Sequence, residues 1–199
     1  MGAMEFLVIV LTALFFRPAC ATDCGNCVRD CTWYDGICIA QKAACQSGTV
    51  PFRTFTSVAE SLCRLFRLTD EDVVRLNDAK EILTNAKFFT REELDRVDYF
   101  FCPLLEITNS GGFAPSERAA IFNVDLRERP LLSLASLMAH EVKHVRQYQQ
   151  MSFAGFACEY TAELLAGNGF GPANEIEAEA FAFQDTVDAC IFNNANCPV

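Results

Sequence analysis

The stretch LLSLASLMAHEVKHVRQYQQ, Leu131–Gln150, decides how this chain is read. Pro130 precedes it and suits the first turn of a helix, where a missing N–H is no loss. Leu134, Leu137, Met138 and Val145 recur at helical spacing, which predicts a helix from about Leu131 to Gln150 with those residues toward the core. Inside it lies His140-Glu141-Val142-Lys143-His144. Histidines four apart stand on one helix face, one turn from each other, and such a pair can ligate one zinc ion. Glu141 is rotated off that face, toward where a water activated by the metal would sit. A carboxylate there can take a proton and later pass it to a leaving amine. By average composition the pattern arises by accident in roughly one such chain in a few hundred. The chain has 2 His, and both fall in the motif.

Catalytic zinc takes a third protein ligand and keeps one position open. No third His exists, so the candidates are Glu175, Glu177 and Glu179, about thirty residues downstream at the start of a last helix. Glu175 and Glu179 share a face, and Ala178 and Ala182 on adjoining positions would let this helix approach the His helix closely. Glu175 is therefore the expected third ligand, with Glu179 supporting a ligand His. Tyr148 and Tyr160 are candidates either for stabilising developing negative charge or for packing.

The motif followed by Glu175-Ile176-Glu177-Ala178-Glu179 resembles the gluzincin class of zinc metallopeptidases, in which the third ligand opens an E-x-x-A-D-like segment; Glu179 replaces the usual Asp. The longer stretch Leu137–Tyr148 resembles the zincin-like domain known from the core of extracellular contractile injection systems. Gln147, three residues beyond the motif, fits that pattern, as do Phe156, Tyr160 and Asn174–Ala178. The resemblance covers about Leu104 to Gln184. It implies a mainly α, α+β zincin-like fold, a Zn2+ cofactor and peptide hydrolysis on a peptide or protein substrate.

Around the motif helix the pattern is also helical. Val58, Leu62, Leu65 and Phe66 fall at helical spacing in 57–68. Thr69 is a fair N-cap before Asp70, Glu71 and Asp72, and the helix it opens carries Val73, Val74, Leu76, Ile82 and Leu83. Thr90 with Glu93 forms a capping box for a helix through Leu94, Val97, Phe100 and Phe101, stopped by Pro103. Leu104–Asn109 and Phe122–Leu126 are expected as short strands, with Gly111-Gly112 as a turn: a small β-hairpin before the motif helix. The second strand is the expected edge for an extended substrate. Another helix is predicted over Phe153–Leu165. Asn174 with Glu177 reads as a capping box for the last helix, through Ile176, Phe181, Val187 and Ile191.

The N-terminus reads as a secretory signal over 1–21: an apolar run Phe6–Phe16, too short to span a bilayer, then Ala19-Cys20-Ala21. The chain has 11 Cys. Cleavage after Ala21 removes Cys20 and leaves Cys24, Cys27, Cys31, Cys38, Cys45, Cys63, Cys102, Cys158, Cys190 and Cys197. That even number suits disulfides in an exported chain. The first five lie close together and predict a stapled module over 22–50, ahead of a helical domain over 51–199. Cys24-Gly25-Asn26-Cys27 stands alone, which favours structural disulfides over zinc or redox chemistry.

A net charge of -10 argues against nucleic-acid binding and against attraction to anionic lipid. No stable membrane insertion is expected after signal cleavage. The sequence thus predicts a secreted zinc-dependent metallopeptidase. The alternative is a secreted cysteine-rich binding or effector protein with a structural or vestigial zinc site.

Overall fold

The computed structural model describes residues 52–53, 55–108, 110–165, 171–195 and 197–198. The expected signal (1–21) and cysteine-rich module (22–50) lie outside the described residues. From there the chain is mainly helical with one small sheet. A helical stretch at 55–63 leads to α1 (Asp70–Asn85), α2 (Arg91–Asp95), β1 (Asp98–Cys102), α3 (Leu104–Thr108), β2 (Gly112–Ser116), β3 (Ala119–Asn123), a 3-10 turn (Val124–Arg127), α4 (Leu131–Leu165) and α5 (Glu175–Asn193).

Local sequence sets several boundaries as expected. The Thr69 hydroxyl accepts the Asp72 N–H and the Asp72 carboxylate accepts the Thr69 N–H, so a reciprocal capping box opens α1. Thr90 and Glu93 do the same for α2. The hydrophobic stretch at 57–68 is helical only to 63, and Val58, Leu62, Leu65 and Phe66 are exposed.

The sheet corrects three expectations. The helix opened at Thr90 ends at Asp95, and Asp98–Cys102 is strand. Val97, Phe100 and Phe101 fit a helical period, but aromatic residues also suit a pleated, half-buried surface. Pairing with β3 decides the matter. β3 is central, parallel to β1 and antiparallel to β2, with Phe101 opposite Phe122 and Gly112 opposite Phe122 on the other side. All five β3 residues are buried, as befits a strand with a neighbour on each edge. Leu104–Thr108 is helical rather than extended. Val124–Arg127 is a 3-10 turn, because the Asn123 side chain accepts the Asp125 N–H and turns the chain out of the sheet. The expected hairpin is present as β2–β3, displaced from the predicted strands.

The core lies between this sheet, α1 and the α4–α5 pair. Leu83, Leu94, Phe101, Phe122, Leu126, Leu134, Met138, Val145, Tyr148 and Val187 are fully enclosed there. The predicted contact residue Leu137 is partly buried and packs against the same core. Disulfides Cys63–Cys102 and Cys190–Cys197 tie the first helical stretch to β1 and the C-terminal segment to α5; Cys158 is disulfide-bonded as well. Among the described residues no helix is long and apolar enough to cross a membrane.

α4 breaks where the sequence predicts two helices, at Ser152, whose backbone lies at φ 64, ψ 162. The break has a direct consequence. Tyr148 and Phe156 are eight residues apart and would be separated by roughly 12 Å along an unbroken helix. Their rings stack at 3.8 Å, so the second half of α4 folds back against the first. Tyr148, Phe156, Tyr160 and Phe52 then form an aromatic cluster, and Phe156 meets the His144 ring edge-on at 6.0 Å.

Candidate metal centre

α4 and α5 pack antiparallel. Gln147 meets Ile176 and Glu179, His144 and His140 meet Glu177, Phe181 covers His140, and Gln184 donates to Ser136. As α5 advances, its partners on α4 recede toward the N-terminus. The site sits at the start of α5, where the motif turn of α4 faces it.

Three atoms converge there. His140 Nε2 and His144 Nε2 are 3.1 Å apart. Glu177 Oε2 lies 3.3 Å from the first and 3.4 Å from the second. These three buried groups form a set able to hold a metal ion. The sequence assigned the third position to Glu175, and the structure corrects this. Glu175 is exposed at the first turn of α5, while Glu177, two residues and about 200° of helix further on, faces inward. The signal was present. Glu177 shares its face with Ala180, Phe181, Gln184 and Val187, and this stripe, rather than Ala178 and Ala182, meets α4.

The cap explains why Glu177 is free to turn inward. Asn174 accepts the Ile176 and Glu177 N–H groups with its side chain, and its own N–H donates to the Gly171 carbonyl. The predicted capping box is therefore only half formed. Glu177 does not reach back to Asn174; it faces the histidines.

Two of the three converging groups, His144 and Glu177, are oriented from behind by hydrogen bonds. Gln147 Nε2 donates to the Ile176 carbonyl and to Glu179 Oε2, both acceptors, so its Oε1 must face His144 Nδ1, at 2.7 Å. That leaves His144 Nδ1 as the donor and its Nε2 lone pair directed into the site. Glu177 Oε1 accepts the Tyr160 hydroxyl at 2.5 Å, which leaves Oε2 for the histidines. Glu179 does not touch a histidine. It accepts from Lys143 Nζ at 2.6 Å and from Gln147, one bond removed from His144. Gln147 was singled out in the sequence by pattern alone, and its orienting role emerges only from the geometry. Tyr148 donates to the Ala114 carbonyl at 3.3 Å and so fastens β2 to the motif helix.

Charge and burial reinforce the arrangement. Burial works to raise the Glu177 carboxyl, but the facing His140 and His144 rings and the Tyr160 hydroxyl outweigh it and hold the group well below the ordinary carboxylate range. Burial, with the Glu177 charge, pushes the Tyr160 hydroxyl well above its usual value, so it stays a donor. Glu141 is different. Burial pushes it up to about 8, opposed by His140 and assisted by Glu177. Its Oε2 and the His140 Nδ1 are enclosed with no hydrogen-bond partner among the described residues.

The donor set fits a metal. A tetrahedral ion with ligand bonds of about 2.0–2.2 Å needs ligand atoms roughly 3.3–3.6 Å apart. The observed triangle is within a few tenths of an ångström of that. Two imidazole nitrogens and a carboxylate oxygen are ligand types that zinc takes, and their burial together suits a cation between them.

Comparison with known proteins finds no family model that matches the chain, and no match among curated proteins or solved structures.

Proposed function

We propose that the chain is a secreted, gluzincin-type zinc metallopeptidase that hydrolyses peptide bonds, with His140, His144 and Glu177 holding the metal and Glu141 as general base. The observation that carries this reading is the triangle of converging ligand atoms, those of His144 and Glu177 fixed from behind, with a carboxylate one residue from a ligand. Zinc bound there would supply Lewis-acid polarisation of a carbonyl and of water. Gln147 and Tyr160 keep the ligand atoms in place. Glu141, beside His140, takes a proton onto its carboxylate and returns it to the departing amine. An extended peptide would pair with β2, the strand at the sheet edge beside Glu141; β3, which holds Phe122 of the segment expected for that role, is central and paired on both sides. The disulfides support an oxidising compartment.

Burial favours a second reading. His140, Glu141, His144 and Glu177 are 5%, 3%, 5% and 7% exposed. An enclosed set suits a structural metal in a secreted cysteine-rich binding or effector protein.

Metal analysis and peptide-library digestion of the purified mature chain separate the two. One zinc per chain is expected in the wild type, in Glu175→Ala and in Glu141→Gln. Loss of zinc is expected in His144→Ala and Glu177→Ala. Cleavage that disappears in Glu141→Gln while zinc remains supports the peptidase. Zinc without any cleavage by the wild type supports the structural site, and no zinc at all sinks both readings.

A further inference from the structure

Gly112, the first residue of β2, lies where no side chain fits. A Cβ built on it would meet Glu141 Oε1 at 2.4 Å, Cδ at 2.9 Å and Cγ at 3.0 Å. The contact involves the length of the carboxylate arm, so rotating the tip alone does not relieve it. On the helix side, Glu141 is buried. On the strand side, the segment before β2 is pinned at three points. The Ser110 hydroxyl donates to the Gly112 carbonyl at 2.7 Å, the Asn123 N–H to the Gly111 carbonyl at 2.9 Å, and Asn123 Nδ2 to the Ser110 carbonyl at 3.1 Å. Asn123 is itself buried at the end of the central strand.

Glu141 has no polar side chain holding it: its Oε2 has no partner among the described residues. His144, Glu177 and Gln147 are oriented by hydrogen bonds, whereas Glu141 is confined by shape. We infer that Gly112 is the positioning residue for the general base: the bare backbone of β2 presses on the Glu141 carboxylate and fixes its direction, with Ser110 and Asn123 holding the strand to its task. This rests on the peptidase reading above. It also explains a glycine that the sequence read only as part of a turn. At neighbouring Gly111 an added Cβ would meet only the tip of Leu137, at 3.2 Å, which can shift.

The test compares Gly112→Ala with Gly111→Ala in the zinc-loaded chain. Gly112→Ala should keep one zinc per chain and a KM within about twofold, and lose about 100-fold in kcat, the scale of an ångström misplacement. Gly111→Ala should stay within about threefold of wild type in kcat. Wild-type kcat in Gly112→Ala, or loss of its zinc, overturns the inference, as does an equal defect in Gly111→Ala. A thermal cycle gives a readout independent of catalysis. Gly112→Ala should lower Tm in the wild type and leave it unchanged in Glu141→Ala, where the clashing arm is gone. An equal loss in both backgrounds overturns the contact. If the wild type binds zinc and cleaves nothing, the peptidase reading fails, while the thermal cycle still decides whether Gly112 confines Glu141.

Discussion

Asp72 in α1 and Glu141 in α4 are both nearly fully buried acids, 2% and 3% exposed, in regions built on opposite terms. Asp72 is matched at every point. It accepts the Thr69 N–H at 2.8 Å and a two-pronged approach from Arg127 at 2.8 and 2.9 Å, and Arg127 stacks over Phe101. Burial alone would raise its carboxyl; the Thr69 N–H and the Arg127 guanidinium outweigh that and hold it below the ordinary range. Glu141 has one unmatched oxygen, and its neighbour His140 has one unmatched nitrogen. A fold satisfies its buried polar groups where their only task is structural. Arg75 Nε and Asp188 Oδ1 are buried and unmatched too, each alone on its helix, whereas Glu141 Oε2 and His140 Nδ1 fall together beside a ligand triangle, and that pairing marks the place where stability gives way to chemistry.

The largest expected effect breaks the matched region. Asp72→Ala removes one partner of a buried pair and one half of a capping box, and should cost about 3 kcal/mol. That corresponds to a Tm roughly 10 °C lower by differential scanning calorimetry at pH 7. The loss should fade in acid. The folded Asp72 titrates below its unfolded value, so its contribution is fully present above the ordinary carboxylate pKa, near about 4. It is lost as pH falls through the lowered folded value. Wild type and variant should therefore converge in stability as pH drops from about 5 toward 2. A gap independent of pH across that range would show that the Asp72 charge is not what holds α1 to the 3-10 turn.

The opposite sign is expected in the unmatched region. In metal-free protein, Glu141→Leu replaces a buried, poorly partnered carboxyl with an apolar group of similar size. Such replacements are neutral to stabilising, here by about 1 kcal/mol, or a Tm roughly 3 °C higher. A destabilisation as large as that of Asp72→Ala would mean that Glu141 is structurally matched after all, and the contrast between the two regions would collapse.

How far these features were legible in the sequence follows the same division. The N-cap at Thr69, the capping box at Thr90, the motif helix and the break after Gln150 depend on neighbours in sequence, and they could be read there. β1 could not be told from a helix, because Val97, Phe100 and Phe101 satisfy both periods and the parallel partner that decides, β3, lies some twenty residues away. Glu175 was preferred over Glu177 because the small residues Ala178 and Ala182 suggested a close approach. The actual contact face carries Phe181, whose ring packs 4.6 Å from His140. Gly112 carried no local signal beyond a turn, since its constraint comes from a side chain on another element.

The smallest expected effect tests whether strain also gathers on the unmatched side. Ser152 sits at φ 64, ψ 162, a region open almost only to glycine. It adopts that geometry so that the second half of α4 can return Phe156 to His144 and Tyr160 to Glu177. Ser152→Gly relieves the backbone but frees the unfolded chain, and the two effects oppose. The Ser152 hydroxyl also accepts the Gly155 N–H at 3.4 Å as a cap for the second half, a role glycine gives up at a cost of only a few tenths of a kcal/mol. The net expectation is about 0.5–1 kcal/mol of stabilisation, a Tm about 2 °C higher. Ser152→Ala keeps the strain and loses the cap, so it should fall about 1 kcal/mol below wild type. If alanine is tolerated as well as glycine, the turn at 152 is unstrained, and the cost of the site is confined to the unmatched atoms of His140 and Glu141.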